Sequence, residues 1–310
     1  MDKKVVVIGS INMDLVVHLD EIPGIGETVL GESLGEYAGG KGANQAVALA
    51  KAGVNTFFIG KIGDDIYGDD VLLEMKKAGI NTGGIQRTKG NTGLAIIQVD
   101  RKAQNNIVVI PGANYKIGEE DLEKYRKEIS RMDYALFQLE IPLDLVEKGL
   151  DLARELEIKT ILNPAPAQNL TTEFLKKVDL LIPNEYELGK ITSKNIENQD
   201  DIESASQLLL DQGVKEILVT LGAQGVYYTN GVERAYYPAF QVEAIDTTGA
   251  GDSFIGGLLA GLCKGEFMEK AIERGQATSA ITVQSKGAQS AIPVIRQVDE
   301  FLQQMIDRHS

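Results

Sequence analysis

The 310-residue sequence predicts an α/β fold: a central, mostly parallel sheet flanked by helices on both faces, with a small antiparallel β-sheet lid. Three observations predict it. Beyond Gly112, short apolar runs alternate with helical stretches of ten or more residues, the rhythm of parallel strands joined by crossover helices. Two earlier segments, residues 14–37 and 92–110, alternate apolar and polar residues, as strands with one wet face do. With 43% hydrophobic and 25% charged residues the composition is that of a soluble globular protein, and the length fits one large α/β domain with an appendage, or two domains.

Val5-Val6-Val7-Ile8 before Gly9 reads as a buried strand, and residues 41–52, rich in Ala, Val and Leu and closed by Gly53, read as a helix. In the first lid segment the turn falls at Pro23-Gly24-Ile25-Gly26. In the second, Leu94-Ala95-Ile96-Ile97-Gln98-Val99 and Asn106-Ile107-Val108-Val109 flank a polar turn. Further strands are expected over 134–139, 160–162, 180–182 and 217–220, and helices over 119–130, 143–156, 202–212, 251–264, 268–283 and 298–307. The α/β part therefore comprises residues 1–13, 38–91 and 111–310 of a single unit, with the lid segments inserted in it. In such sheets ligands bind beyond the carboxyl ends of the strands, so the polar residues at strand exits are the candidates for chemistry.

The formal net charge of -14 opposes attraction to nucleic-acid phosphates or anionic lipid, so neither is an expected partner. The single cysteine, Cys263, sits among Leu258, Leu259 and Leu262 and reads as core. His18 and His309 are the only histidines, which excludes zinc sites of the His/Cys type and leaves almost no candidate for histidine-dependent catalysis. The apolar run at residues 5–8 is too short for a signal peptide or membrane span, which makes the cytoplasm the expected location.

Gly249-Ala250-Gly251-Asp252 precedes an apolar helical run, so its backbone N–H groups lie at a helix N-terminus, where unsatisfied donors and the helix dipole favour anions. Asp252 there can be a helix cap or a functional carboxylate. A dinucleotide turn does not fit, because Gly256 is misplaced for Gly-x-Gly-x-x-Gly. Residues 35–42 nearly match the phosphate loop Gly-x-x-x-x-Gly-Lys-Ser/Thr, yet Gly42 stands where the metal-binding hydroxyl belongs. The glycines at 39, 40 and 42 either form a tight strand-to-helix turn or let a polyhydroxy ligand approach the backbone beside Lys41 and Asn44. Asn12 and Asp14 share a face at period-two spacing, suited to hydroxyl recognition or to a plain turn. Glu140, Asn163 and Asn184 follow strand candidates, and Asn184 with Glu187 can order metal-bound water or form a capping box.

Together these clusters resemble the ribokinase family of carbohydrate kinases, often called the PfkB family, along essentially the whole chain. Gly39-Gly40-Lys41-Gly42-Ala43-Asn44-Gln45-Ala46 looks like the family's first signature, and Asp246-Thr247-Thr248-Gly249-Ala250-Gly251-Asp252-Ser253-Phe254 like its second. Between them, in the family's order, lie Asn163-Pro164-Ala165-Pro166, Pro183-Asn184-Glu185-Tyr186-Glu187 and Thr220-Leu221-Gly222.

The resemblance implies phosphorylation of ribose at O5 by ATP. It puts Asn12, Asp14, Gly40, Lys41, Asn44 and Glu140 around the sugar and Asp252 at the reacting hydroxyl as catalytic base. Gly249, Ala250 and Gly251 would direct N–H groups at the transferring phosphoryl oxygens. Asn184, Glu187, Thr220, Gly222 and Gly251 would lie on the nucleotide, with Gln276 near the adenine. Mg²⁺ is implied with ATP. A monovalent cation such as K⁺ is implied at Asp246, Thr248, Val283, Lys286, Ala288 and Ile292. The lid would exclude water, and its exposed apolar surface would pair two subunits as a homodimer. The rival readings are a deoxyribokinase, a nucleoside kinase or, from another class, a catalytically silent sugar-binding protein on the same fold.

Overall fold

The computed structural model describes residues 3–102 and 104–309, without the side chains of 308 and 309; Ala103, in the second lid segment, and the His309 side chain lie outside the described residues. The first part of the chain runs β1 (Lys4–Ile8), β2 (Asn12–Leu19), β3 (Gly31–Gly39), α1 (Lys41–Lys51), β4 (Asn55–Gly63), α2 (Ile66–Lys77), β5 (Asn81–Thr88), β6 (Gly93–Val99) and β7 (Asn105–Ile110). Next come α3 (Glu119–Lys124), α4 (Arg126–Ile129), β8 (Tyr134–Phe137), α5 (Leu143–Glu155), β9 (Lys159–Leu162), α6 (Thr172–Leu175), β10 (Leu180–Leu181), α7 (Glu185–Thr192) and α8 (Gln199–Asp211). The last part is β11 (Glu216–Thr220), β12 (Val226–Thr229), β13 (Arg234–Tyr237), α9 (Ala250–Lys264), α10 (Met268–Thr282) and α11 (Ile295–His309).

Nine strands form the main sheet in the order β13-β12-β11-β10-β9-β8-β1-β4-β5. All neighbours from β11 to β5 are parallel, and β12 and β13 add an antiparallel edge. Both faces are buried because side chains alternate along each strand. Val6 and Ile8 enter one core with Phe137, Leu162 and Val219, while Val5 and Val7 enter the other with Leu136, Phe58 and Leu218. The β4–α2–β5 crossover and the β12–β13 hairpin extend the sheet beyond the strands that the sequence marks. The helix expected over 119–130 breaks at Tyr125, whose N–H turns back to Leu122 and whose ring packs edge-on against Phe57.

The second sheet has the order β3-β2-β6-β7 and is built from the two alternating segments. Its hairpins β2–β3 and β6–β7 are antiparallel, and β2 and β6 join them in parallel register. Along β7 every residue is exposed, including Ile107, Val108, Val109 and Ile110.

α1 and α9 pack across one face of the main sheet at backbone distance. A Cβ at Gly256 would lie 2.2 Å from the Cβ of Ala48, so only glycine permits this approach. It brings the N-terminal turns of both helices to the carboxyl ends of the strands, beside the second sheet. No helix among the described residues is long and apolar enough to cross a membrane.

Candidate active site

The first half of the site is assembled where β1 ends. Three N–H groups at the start of α1 find partners outside the helix: Lys41 donates to Glu140 Oε2 (3.0 Å), Gly42 to Ser10 Oγ (3.2 Å) and Ala43 to the Ser10 carbonyl (2.9 Å). Ser10 Oγ in turn donates to Glu140 Oε2 (2.6 Å). One Glu140 oxygen therefore caps α1, where the helix dipole favours an anion. Gly40 makes the turn at φ +89°, and a Cβ there would lie 2.8 Å from the Asn12 nitrogen.

Asn12 and Asp14 point the same way from β2, as their spacing predicts. Glycine makes room for each: a Cβ at Gly39 would lie 2.2 Å from Asp14 Oδ2, and one at Gly93 2.2 Å from Asn12 Oδ1. Asn114, which the sequence did not single out, donates to Asn12 Oδ1 (2.7 Å) and accepts from the Ile11 N–H (2.9 Å).

Asp252 lies in the first turn of α9 and is 8% exposed. It makes no side-chain cap at that helix, so the cap reading of Asp252 is excluded. Its two oxygens accept from successive residues of α1, Oδ2 from Asn44 Nδ2 and Oδ1 from Gln45 Nε2, each at 2.9 Å. Ala250 donates to the Thr247 carbonyl (3.2 Å) and Ser253 to Gly249 (2.8 Å). Among the described residues the Gly251 and Asp252 N–H groups have no acceptor, and a Cβ at Gly251 would meet nothing within 4 Å. The Gly249 N–H likewise has no acceptor among the described residues, so the free donors of the turn are Gly249, Gly251 and Asp252, whereas the Ala250 N–H, also expected to face phosphate, is engaged.

Two cavities meet at this turn, sharing Thr220, Thr247, Ala250 and Gly251. One, of about 230 Å³, is polar and includes Lys41, Asn163, Asn184, Glu187 and Asp252. The other, of about 300 Å³, is walled by Gly222, Val226, Phe240, Phe254 and Gln276, a mostly apolar lining suited to a purine. Gln276 donates to the Tyr237 carbonyl at 2.8 Å, which fixes its side chain on the cavity wall. Asn184 and Glu187 form a reciprocal capping box on α7 (2.8 and 2.9 Å), so the capping reading and a place on the cavity wall both hold.

Charge is concentrated around one ammonium. Burial would lower the Lys41 pKa, but Asp252, Glu140, Glu187 and Asp14 outweigh it and hold the lysine above its ordinary value. Burial, reinforced by Glu140 and Asp252, pushes the Asp14 carboxyl up to about 7 against the pull of Lys41. Glu187 is also raised, by burial and then Asp252, against its bond from Asn184 and the Lys41 charge.

The loop expected to hold a monovalent cation lies beside the same turn. A Cβ at Gly249 would lie 3.3 Å from Ala288. Asp246 Oδ1 accepts from the Thr248 N–H (2.9 Å) and hydroxyl (2.7 Å), and Oδ2 from the Gly287 N–H (2.9 Å). Burial opposes ionisation of Asp246, but these bonds and Lys286 prevail and lower its pKa. The Val283 carbonyl already accepts from Ile245 and Asp246 (2.7 and 3.1 Å), and the Ile292 carbonyl from the Lys51 ammonium (2.8 Å). Asp246 and Thr248 thus have the chemistry of a cation site, while Ile292 is committed to Lys51.

The chain matches the pfkB family carbohydrate kinases over residues 2–295. It is 38% identical over 304 residues to the ribokinase of Haemophilus influenzae, covering 98% of this chain and 99% of that one. It is 34% identical over 300 residues to the deoxyribokinase of Salmonella typhi, covering 96% and 98%. The structure of Arabidopsis thaliana ribokinase complexed with ribose and ATP superposes with a TM-score of 0.90 at 29% identity, covering 97% of this chain and 99% of that one. With its fold, its two signature turns and these relatives in agreement, the chain belongs to the pfkB family of carbohydrate kinases.

Proposed function

We propose that this chain transfers the γ-phosphoryl group of ATP to O5 of D-ribose, forming D-ribose 5-phosphate and ADP, with Asp252 as general base. The observation that carries the reading is the Asp252 carboxylate, buried in the first turn of α9 on the wall of the polar cavity, which meets the apolar cavity at the same turn. Asp252 takes the hydroxyl proton as the sugar oxygen attacks the γ-phosphorus in line. The bond from phosphorus to the bridging oxygen breaks, and ADP leaves with its electron pair. The Gly251 and Asp252 N–H groups and the Lys41 ammonium meet negative charge on the transferring phosphoryl oxygens. Asn12 and Asp14 bind sugar hydroxyls, and Glu140 holds Gly40, Lys41 and Asn44 in place by capping α1. Mg²⁺ carried with ATP would neutralise phosphate charge, met by Asn184 and Glu187 on the cavity wall.

Ribose is favoured by the ribokinase relatives and by the ribose complex of the Arabidopsis protein; the Salmonella typhi relative makes 2-deoxyribose the second reading. A coupled ADP-release assay over ribose, 2-deoxyribose, fructose and adenosine tests this, with the highest kcat/KM expected for ribose. Preference for any other acceptor overturns it. In the same assay Asp246 and its loop lead us to expect higher activity in K⁺ than in Na⁺ or Li⁺ at equal ionic strength. Equal rates in all three would remove the cation from the proposal. A cytoplasmic location accords with the lack of a membrane-crossing helix among the described residues.

A homodimer through the lid sheets completes the reading. By strand register Ile107 and Val109 share the face of Asp14, and they are 54% and 46% exposed, so an apolar surface continues outward from the sugar site. Ile107→Asp should sediment as a monomer where the parent is a dimer; a monomeric parent excludes the pairing.

Asp252→Asn should lower kcat at least about a hundredfold while ribose still binds calorimetrically. Turnover like the parent's would remove Asp252 from its role. An unfolded aspartate loses its proton near pH 4, whereas Asp14 in the fold keeps its proton to about 7. Between these values the folded state binds more protons than the unfolded, so stability falls as pH rises through the window and levels off above it. The Tm of Asp14→Asn should gain on that of the ligand-free parent from about pH 4 to about pH 7. A Tm difference independent of pH would contradict the raised carboxyl.

A further inference from the structure

Behind Asp252 lies a chain of buried amides, of which Gln45 and Gln138 are closed to substrate and Asn163 reaches the wall of the polar cavity. Gln45 is 0% exposed, and its Nε2 donates both to Asp252 Oδ1 (2.9 Å) and to Asn163 Oδ1 (3.1 Å). Its Oε1 accepts from Gln138 Nε2 at 2.6 Å. Asn163 is anchored in turn, donating through Nδ2 to the Ile182 carbonyl (3.0 Å) at the end of β10. Gln138, also 0% exposed, leaves its Oε1 without a partner, lodged where a Cβ at Gly9 would lie 2.1 Å away.

The orientation of every amide in this chain follows from the carboxylate. Ionised Asp252 only accepts, so Gln45 must present its NH₂ group. That leaves Oε1 on the far side, where Gln138 must be the donor, and the remaining Gln138 oxygen is stranded. A buried acceptor without a partner costs about 1–3 kcal/mol. An apolar side chain at 138 would remove that oxygen but leave the buried Gln45 Oε1 without its donor, so Gln138 is tied to Gln45, and the stranded oxygen of the chain calls for a reason beyond stability. The polar cavity supplies one, since a base works only if its oxygen is aimed at the hydroxyl before the reaction begins.

We infer that Gln45 is a positioning residue that locks the orientation of the Asp252 carboxylate, with Gln138 and Asn163 locking Gln45. This rests on Asp252 being the base. Asn44 restrains the other oxygen but also lines the site proposed for the sugar. Gln45 is screened from ligands, so its loss should act on turnover alone.

The test compares Gln45→Met, Gln138→Leu and Asp252→Asn in the full chain, measuring kcat, KM for ribose and ATP, and calorimetric ribose binding. Gln45→Met should lose at least about tenfold in kcat, with both KM values within about twofold of the parent and ribose binding retained. A parental kcat, or a loss in which KM and binding fail together, overturns the inference. If Gln45→Met does not fold, Gln138→Leu decides. It spares every bond to Asp252 and Asn163 and exchanges the stranded Gln138 oxygen for an unpaired Gln45 Oε1, so it should fold with little net change in stability and still lose about twofold to fivefold in kcat at unchanged KM. An unchanged kcat there overturns the inference. An inactive Asp252→Asn beside a fully active Gln45→Met rejects only the positioning role, whereas an active Asp252→Asn rejects the base itself.

Discussion

The site depends on how closely two helices approach. α1 and α9 are more than two hundred residues apart in the chain, yet Gly256 meets Ala48 with no room for a methyl group. At that separation short amide side chains on α1 reach across to a carboxylate on α9. A wider gap would leave Asp252 as an unpaired buried charge, which a fold does not tolerate cheaply. Core packing and the position of the reacting group are therefore one constraint.

A second constraint is electrostatic. Four carboxylates, Asp14, Glu140, Glu187 and Asp252, act on Lys41, whose charge in turn lowers the pKa values of Asp14 and Glu187. Burial, with the Glu140 and Asp252 carboxylates nearby, makes Asp14 hold its proton to about 7 against the pull of that one ammonium. A site left with excess negative charge would repel ATP. The helix N-terminus at Gly251 and the ammonium of Lys41 offset this where phosphate would lie, and metal carried with the nucleotide would add to them.

The glycines of the first signature have a sharper role than a flexible loop. Gly40 adopts a backbone angle that L side chains rarely do, Gly42 lets α1 sit on the β1–β2 turn, and Gly39 leaves space for the Asp14 carboxylate. Residues 35–42 lack the metal-binding hydroxyl of a phosphate loop at Gly42, and in the proposed reading that turn would serve the sugar and the turn before α9 the phosphates.

Much of this was legible in the amino-acid order. Strand and helix periodicity marked β1, β8 to β11 and the long helices, because side chains of a sheet buried on both faces must be apolar throughout. Strand exits and glycine turns offered Asn12, Asp14, Lys41, Asn44, Glu140 and Asp252 as candidates, each with a plain structural alternative, and the family resemblance gave them their expected roles. The β4–α2–β5 crossover went unmarked although Thr56-Phe57-Phe58-Ile59 is as apolar as β1, and the β12–β13 hairpin went unmarked although Asn230-Gly231 is a strong turn signal. Asn114, Ser10 and the amide chain of Gln45, Gln138 and Asn163 are different in kind. Local sequence specifies which face of an element a residue occupies, but a buried amide's partner is set by the element packed opposite, and that pairing exists only once α1, α9 and the end of β8 have met.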